Sequence, residues 1–125
     1  MKTRVLIVDD HQAFRSGLKA VIDRQFGMEV VGEAGDGKTA VALARDLLPD
    51  VILMDVKMPI MNGAEATSRI LAEMPGMKIL ALSIYDDDEF MASMMRAGAL
   101  GYILKGCDSK ELSEAIRQVI EPRDA

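Results

Sequence analysis

Residues 51–55 read Val-Ile-Leu-Met-Asp, an unbroken apolar run closed by a carboxylate. A strand with one solvated face alternates apolar and polar residues, whereas a strand covered by helices on both faces is apolar throughout. The run therefore points to the interior of a parallel sheet. Three further runs share its form. Val5-Leu6-Ile7-Val8 runs into Asp9-Asp10, Lys78-Ile79-Leu80-Ala81-Leu82 into Ser83, and Gly101-Tyr102-Ile103-Leu104 into Lys105. As neighbouring parallel strands, these would bring three carboxylates, a hydroxyl and an ammonium to the carboxyl edge of one sheet. Open α/β sheets bind their ligands at that edge. Three adjacent acids repel unless a cation lies among them, and a hard oxygen site of this kind suits Mg2+.

Helical patterns separate the runs. Phe14, Leu18, Val21 and Ile22 recur at helical spacing and predict a first helix near 12–24. Glu29-Val30-Val31-Gly32-Glu33-Ala34 is a less apolar strand that fits a sheet edge, and Gly35-Asp36-Gly37 makes a turn. Ala40, Leu43, Ala44 and Leu47 mark a second helix stopped by Pro49, and Thr67, Ile70, Leu71 and Met74 a third that begins beyond Asn62-Gly63 and closes at Pro75-Gly76. The acidic stretch Asp86-Asp87-Asp88-Glu89 opens a fourth, because acids favour the positive helix end. Asp108 and Glu111 form a capping box for a fifth, with Leu112, Ile116 and Val119 inward. Strand and helix thus alternate five times. Right-handed crossovers convert this pattern into an α/β doubly wound five-stranded parallel sheet of order 2-1-3-4-5. Its switch point lies between strands one and three, where Asp9, Asp10 and Asp55 stand.

Bulk properties narrow the function. The chain has 125 residues, half of them hydrophobic, which suits one domain with a proper core. A net charge of −5 opposes binding of this segment to nucleic acid or anionic membranes. One cysteine excludes an intramolecular disulfide and a cysteine-based zinc site. No run approaches the roughly 18 apolar residues of a membrane span, and no signal peptide opens the chain, so a cytoplasmic location is expected.

The residues at the strand ends meet the needs of phosphoryl transfer to a carboxylate. The nucleophile must be ionised, so Asp55 requires compensation from a cation and from Lys105. Charge spreads over the equatorial oxygens of the transferring group, where Mg2+, Lys105 and the Ser83 hydroxyl can each stabilise it. Asp9 and Asp10 would hold the metal, and main-chain N–H groups after Asp55 would cradle the remaining oxygens. Acids at a strand end often only cap the next helix. It is the joint placement that makes capping an insufficient account.

On these residues the chain resembles the receiver domains of two-component response regulators. The resemblance spans Val5 to Ile120 and rests on Asp9-Asp10, Met54-Asp55-Val56-Lys57-Met58-Pro59 with Asn62-Gly63, Ser83, Ala97-Gly98-Ala99 with Gly101-Tyr102, and Lys105. It implies a flavodoxin-like (βα)5 fold. It further implies that Asp55 accepts a phosphoryl group from a histidine kinase, with Lys105 binding that group and Ser83 assisting. Asp9, Asp10, Asp55 and the backbone carbonyl of Lys57 would bind Mg2+ or Mn2+, and Ser83 with Tyr102 would form a switch pair. Asp9-Asp10-His11 and Gly101-Tyr102-Ile103-Leu104-Lys105-Gly106 are most similar to the NarL/FixJ subfamily, whose receivers usually join a helix-turn-helix DNA-binding domain. The chain then reads either as a stand-alone receiver or, the favoured alternative, as a receiver over residues 1–121 with 122–125 starting a linker to an output domain absent from this chain. DNA would be a partner only through that domain, and a phosphorylation-dependent homodimer is expected. Gly106 stands where many receivers have proline. Lys57 and Tyr85 would flank the site and slow the hydrolytic water.

Two other functions compete. A haloacid-dehalogenase-type phosphatase also forms an aspartyl phosphate beside Mg2+, but it places an Asp-x-Asp nucleophile after strand one, and Asp9-Asp10-His11 breaks that pattern. A flavodoxin-like cofactor binder needs a phosphate-cradling loop after strand one, where the acids here would repel phosphate. Of the remaining residues, His11 reads as a loop or helix-start histidine. Cys107 reads as a surface or half-buried thiol without an activating neighbour beyond Lys105. Met91, Met94 and Met95 read as core filler, with a methionine-rich partner surface as the alternative.

Overall fold

The computed structural model describes residues 2–84 and 88–120. In chain order the elements are β1 (Thr3–Val8), α1 (Gln12–Asp23), β2 (Met28–Ala34), α2 (Gly37–Leu47) and β3 (Val51–Asp55), then α3 (Gly63–Glu73), β4 (Lys78–Ser83), α4 (Asp88–Ala97), β5 (Gly101–Leu104) and α5 (Ser109–Ile120). The strands form one parallel sheet in the order β2-β1-β3-β4-β5, as the alternation predicts.

Because side chains alternate across a strand, each apolar run feeds two cores. Val5, Ile7, Val51, Leu53, Leu80, Leu82 and Ile103 face α1 and α5, where Leu18, Ile22, Leu112 and Ile116 meet them. Leu6, Val8, Ile52, Met54, Ile79 and Ala81 face α2, α3 and α4 and pack on Ala40, Ala44, Ala66, Ile70 and Met94. Each fully buried aliphatic side chain contributes roughly 1.5–3 kcal/mol. The near-continuous hydrophobicity of β3 is thus two interleaved half-patterns, each with its own helices.

The parity that sorts the cores also aims the site. Ile7 lies beside Leu53 in the β1–β3 register, so Asp9 and Asp55 continue the same row two residues on. Leu82 lies beside Ile103, which puts Lys105 in that row as well. All three charged residues project from the face that α1 and α5 cover, beyond the ends of those helices' apolar contacts. Ser83 continues the opposite row, that of Ile79 and Ala81.

Local signals set most boundaries. Asp36, Asn62 and Asp108 accept N–H bonds from Thr39, Glu65 and Glu111 at 2.8, 2.9 and 2.8 Å, the N-caps of α2, α3 and α5. The helix before Pro49 ends at Leu47, with Leu48 left-handed at φ 47°. Asp86, Asp87 and Tyr85 lie outside the described residues, and α4 is described from Asp88. One expectation needs correction. Met91 and Met94 are buried, but Met95 is half-exposed and is not core filler, because it lies on the solvent side of α4.

Candidate functional site

Asp9 leaves the end of β1 completely buried, with its carboxylate held on both oxygens. Oδ2 pairs with the Lys105 ammonium. Oδ1 accepts the His11 backbone N–H at 2.8 Å and lies 3.3 Å from His11 Nδ1. Arg15 adds a further tie, donating to the Asp9 carbonyl at 2.5 Å while its Nε lies 3.3 Å from Glu33 Oε1. These bonds fix β1, the start of α1 and the end of β2 to one another.

Asp55 ends β3, also buried. Its Oδ1 accepts the Val56 N–H at 2.8 Å, and its Oδ2 lies 3.4 Å from Lys105 Nζ. The ammonium therefore bridges Asp9 and Asp55 and sits closer to Asp9. The Phe14 ring approaches it from α1, with the centroid 4.8 Å away. Burial pushes the Asp55 carboxyl up to about 6, and the Asp9 charge adds to the rise. Lys105 and the Val56 N–H oppose it without cancelling it.

Asp10 is more open to solvent and points its Oδ1 to within 3.1 Å of His11 Nδ1. One ligand atom from each of Asp9, Asp10, His11 and Asp55 fits inside a cluster 4.8 Å across. The donors are mostly carboxylate oxygens, two of the residues are buried, and a single ammonium faces two buried charges. That chemistry fits a divalent cation. A pocket of about 350 Å3 opens over the cluster, with Lys57, Ser83, Ile84 and Phe90 on its rim. Lys57 is exposed, with Nζ 4.3 Å from the Phe90 ring centroid.

Of the expected site residues, Asp9, Asp10, Asp55, Lys57, Ser83 and Lys105 converge here. Ser83 is buried, and its carbonyl accepts the Lys105 N–H at 2.7 Å, which couples the ends of β4 and β5. Tyr102 does not join them. It alternates with Ile103, is half-exposed and lines a separate groove toward α5. Cys107 is half-buried, and burial pushes its thiol upward, followed by Glu111 and Asp108, so it has no activated thiolate character.

Two glycines that the sequence marks only as parts of turns support the site through close packing. Gly63 packs so tightly under the site that a Cβ there would meet the Asp55 carbonyl oxygen at 2.0 Å. Its N–H donates to the Val56 carbonyl at 2.9 Å. Gly37 likewise has no room for a Cβ against Met61, whose carbonyl accepts the Gly37 N–H at 3.1 Å. The Asn-Gly and Gly-Asp-Gly signals mark turns, but the close approaches appear only in three dimensions. Gly106 has φ 92°, which proline cannot adopt, so the β5–α5 loop differs in backbone from one with proline there. His11 occupies the helix-start position expected of it, without a side-chain cap, yet its ring also enters the acidic cluster.

Comparison with known proteins agrees with this geometry. The family model "Response regulator receiver domain" matches residues 5–117. The chain is 42% identical over 120 residues to the transcriptional regulatory protein DegU of Brevibacillus brevis, covering 96% of this chain and 51% of that protein. It is 44% identical over 116 residues to the response regulator GacA of Pseudomonas aeruginosa, covering 93% and 54%. The chain spans about half the length of these curated relatives. Among solved structures, the receiver domain of the putative response regulator NarL from Mycobacterium tuberculosis superposes with a TM-score of 0.91 at 33% identity, covering 98% of each chain. The response regulator domain of Thermotoga maritima CheB gives 0.89 at 37%, covering 99% of this chain and 100% of that one.

Proposed function

The chain belongs to the family of response regulator receiver domains, and from that premise we propose that it accepts a phosphoryl group from a sensor histidine kinase on Asp55. Mg2+ or Mn2+ would be held by Asp9, Asp10, Asp55 and the Lys57 carbonyl. The observation that carries this reading is the single row of Asp9, Asp55 and Lys105, in which one ammonium bridges two buried carboxylates.

The bound cation supplies positive charge to the transferring group and lowers the cost of ionising Asp55. Asp55 provides the nucleophilic oxygen, already held in one orientation by the Val56 N–H. Lys105 follows the charge. Anchored by its backbone bond to Ser83, the ammonium can stay near Asp9 while turning from the Asp55 carboxylate to a phosphoryl oxygen. The Ser83 hydroxyl, at the end of β4, is the second donor to those oxygens. Lys57 and Phe90 on the rim restrict the water that hydrolyses the aspartyl phosphate to free carboxylate and inorganic phosphate.

Signal output follows from the same elements. Engagement of the Ser83 hydroxyl is relayed from the end of β4 to the neighbouring β5, where Tyr102 turns inward from its half-exposed position. Residues 1–121 act as the receiver, and 122–125 begin a linker to a helix-turn-helix output domain that carries DNA binding in a cytoplasmic transcription regulator. Phosphorylation would favour a homodimer. Support for this part comes from relatives named as transcriptional regulators, of which this chain spans about half. No described helix is long and apolar enough to cross a membrane.

Incubation with acetyl phosphate and Mg2+, followed by borohydride trapping and peptide mapping, tests the central claim. One phosphoryl group at Asp55 is expected, dependent on a divalent cation. Substantial labelling of Asp55→Asn refutes it, and rapid turnover of free phosphate without labelling would indicate a phosphatase instead.

A further inference from the structure

The acidic cluster of this chain contains an imidazole. His11 Nδ1 lies 3.1 Å from Asp10 Oδ1 and 3.3 Å from Asp9 Oδ1. Two donors at adjacent positions on an octahedral ion with bonds of roughly 2.1 Å are about 3.0 Å apart. The nitrogen therefore stands from both oxygens at the spacing of neighbouring ligands on one ion. Nδ1 can share at most one proton between the two carboxylates, whereas a cation placed among the three satisfies all of them at once.

We propose that His11 is a protein ligand of the metal site, and that it extends the site's preference from Mg2+ to borderline divalent ions of the Zn2+ and Co2+ class. The inference rests on the metal-binding reading above and deepens it. Imidazole nitrogen binds Zn2+ and Co2+ well, whereas Mg2+ prefers oxygen and retains water. Adding one nitrogen to an otherwise oxygen set thus changes relative affinity among metals far more than affinity for Mg2+. The backbone already aims the ring: the His11 N–H is bonded to Asp9 Oδ1, and the residue sits at the N-cap of α1 with no capping duty for its side chain. Two-thirds of that side chain is exposed, so Nδ1 can be directed at the cluster without burying the rest of the ring.

The chain's one histidine makes the test unambiguous, because its single imidazole gives one set of ring-nitrogen resonances. Zn2+ would be titrated at about pH 7.5 into the 15N-labelled chain, with Mg2+ in a parallel series. Zn2+ is expected to move the Nδ1 resonance, and the movement should disappear in Asp10→Asn. Zn2+ affinity by calorimetry should fall at least about tenfold in His11→Gln, which keeps a hydrogen-bond donor but loses the ring, and the ratio of Zn2+ to Mg2+ affinity should fall with it. Imidazole nitrogens that ignore Zn2+ would overturn the assignment, as would equal Zn2+ affinity in His11→Gln or a shift that persists in Asp10→Asn. Absence of saturable Mg2+ binding in the parent chain would sink the magnesium reading itself, whereas a silent imidazole beside intact Mg2+ binding sinks only the role of His11.

Discussion

Replacing Asp55 with asparagine should stabilise the metal-free domain at neutral and higher pH. Burial and the neighbouring Asp9 charge hold the Asp55 carboxyl at about 6, against 3.8 for the free group. The folded state thus binds this proton more tightly than the unfolded state. The sign is the reverse of the usual paired carboxylate. Below about pH 4 the group is protonated in both states and costs nothing. As pH rises from 4 through 6, the unfolded chain ionises first, and stability is lost until both states are ionised. A gap of roughly two pH units corresponds to about 3 kcal/mol as an upper bound, since one unit is worth about 1.4 kcal/mol. Asparagine keeps the shape, removes the charge and leaves Lys105 paired with Asp9. For a domain of this size 2–3 kcal/mol is on the order of 6–12 °C in Tm. Urea denaturation of the parent and Asp55→Asn, with a chelator present, would be compared at pH 4 and pH 8. The variant should gain at pH 8 and lose most of that gain at pH 4. Added Mg2+ should stabilise the parent more than the variant. Equal or lower stability of Asp55→Asn at pH 8, or the same difference at both pH values, would refute the argument.

Three further outcomes follow from contacts around the site. Gly63→Ala should destabilise the fold by about 2 kcal/mol or more and slow phosphorylation from acetyl phosphate, because its Cβ would push the Asp55 carbonyl; wild-type rate and melting temperature would contradict the close approach. Gly106→Pro should lower stability and displace the Lys105 backbone, since proline holds φ near −65° and Gly106 has φ 92°; an unchanged Lys105 amide resonance would argue against it. Ser83→Ala should still be phosphorylated but should switch poorly, so amide shifts on α4 and β5 on adding beryllofluoride should be smaller than in the parent, and equal shifts would remove Ser83 from the coupling.

Much of this protein was legible in the chain because the signals involved are local. Continuous apolar runs bounded by helical patterns imply a covered parallel sheet, and side-chain alternation carries Asp9, Asp55 and Lys105 to one edge once strand order is known. Tertiary structure alone decided how those groups share their charges. Lys105 bridges Asp9 and Asp55 and lies nearer Asp9 because both carboxylates continue one face of adjacent strands, a relation between residues far apart in sequence. His11 reads as a helix start along the chain. Only the fold shows its ring beside two carboxylates, since ring direction depends on the turn between β1 and α1. Gly63 reads as half of a turn, but its lack of a side chain matters because the end of β3 runs directly beneath it. Met95 matches its buried neighbours in type and differs only in which side of α4 it occupies. Periodicity specifies what each element is and which of its residues share a face. Distances among faces depend on packing over long sequence separations, and at this site those distances set the chemistry.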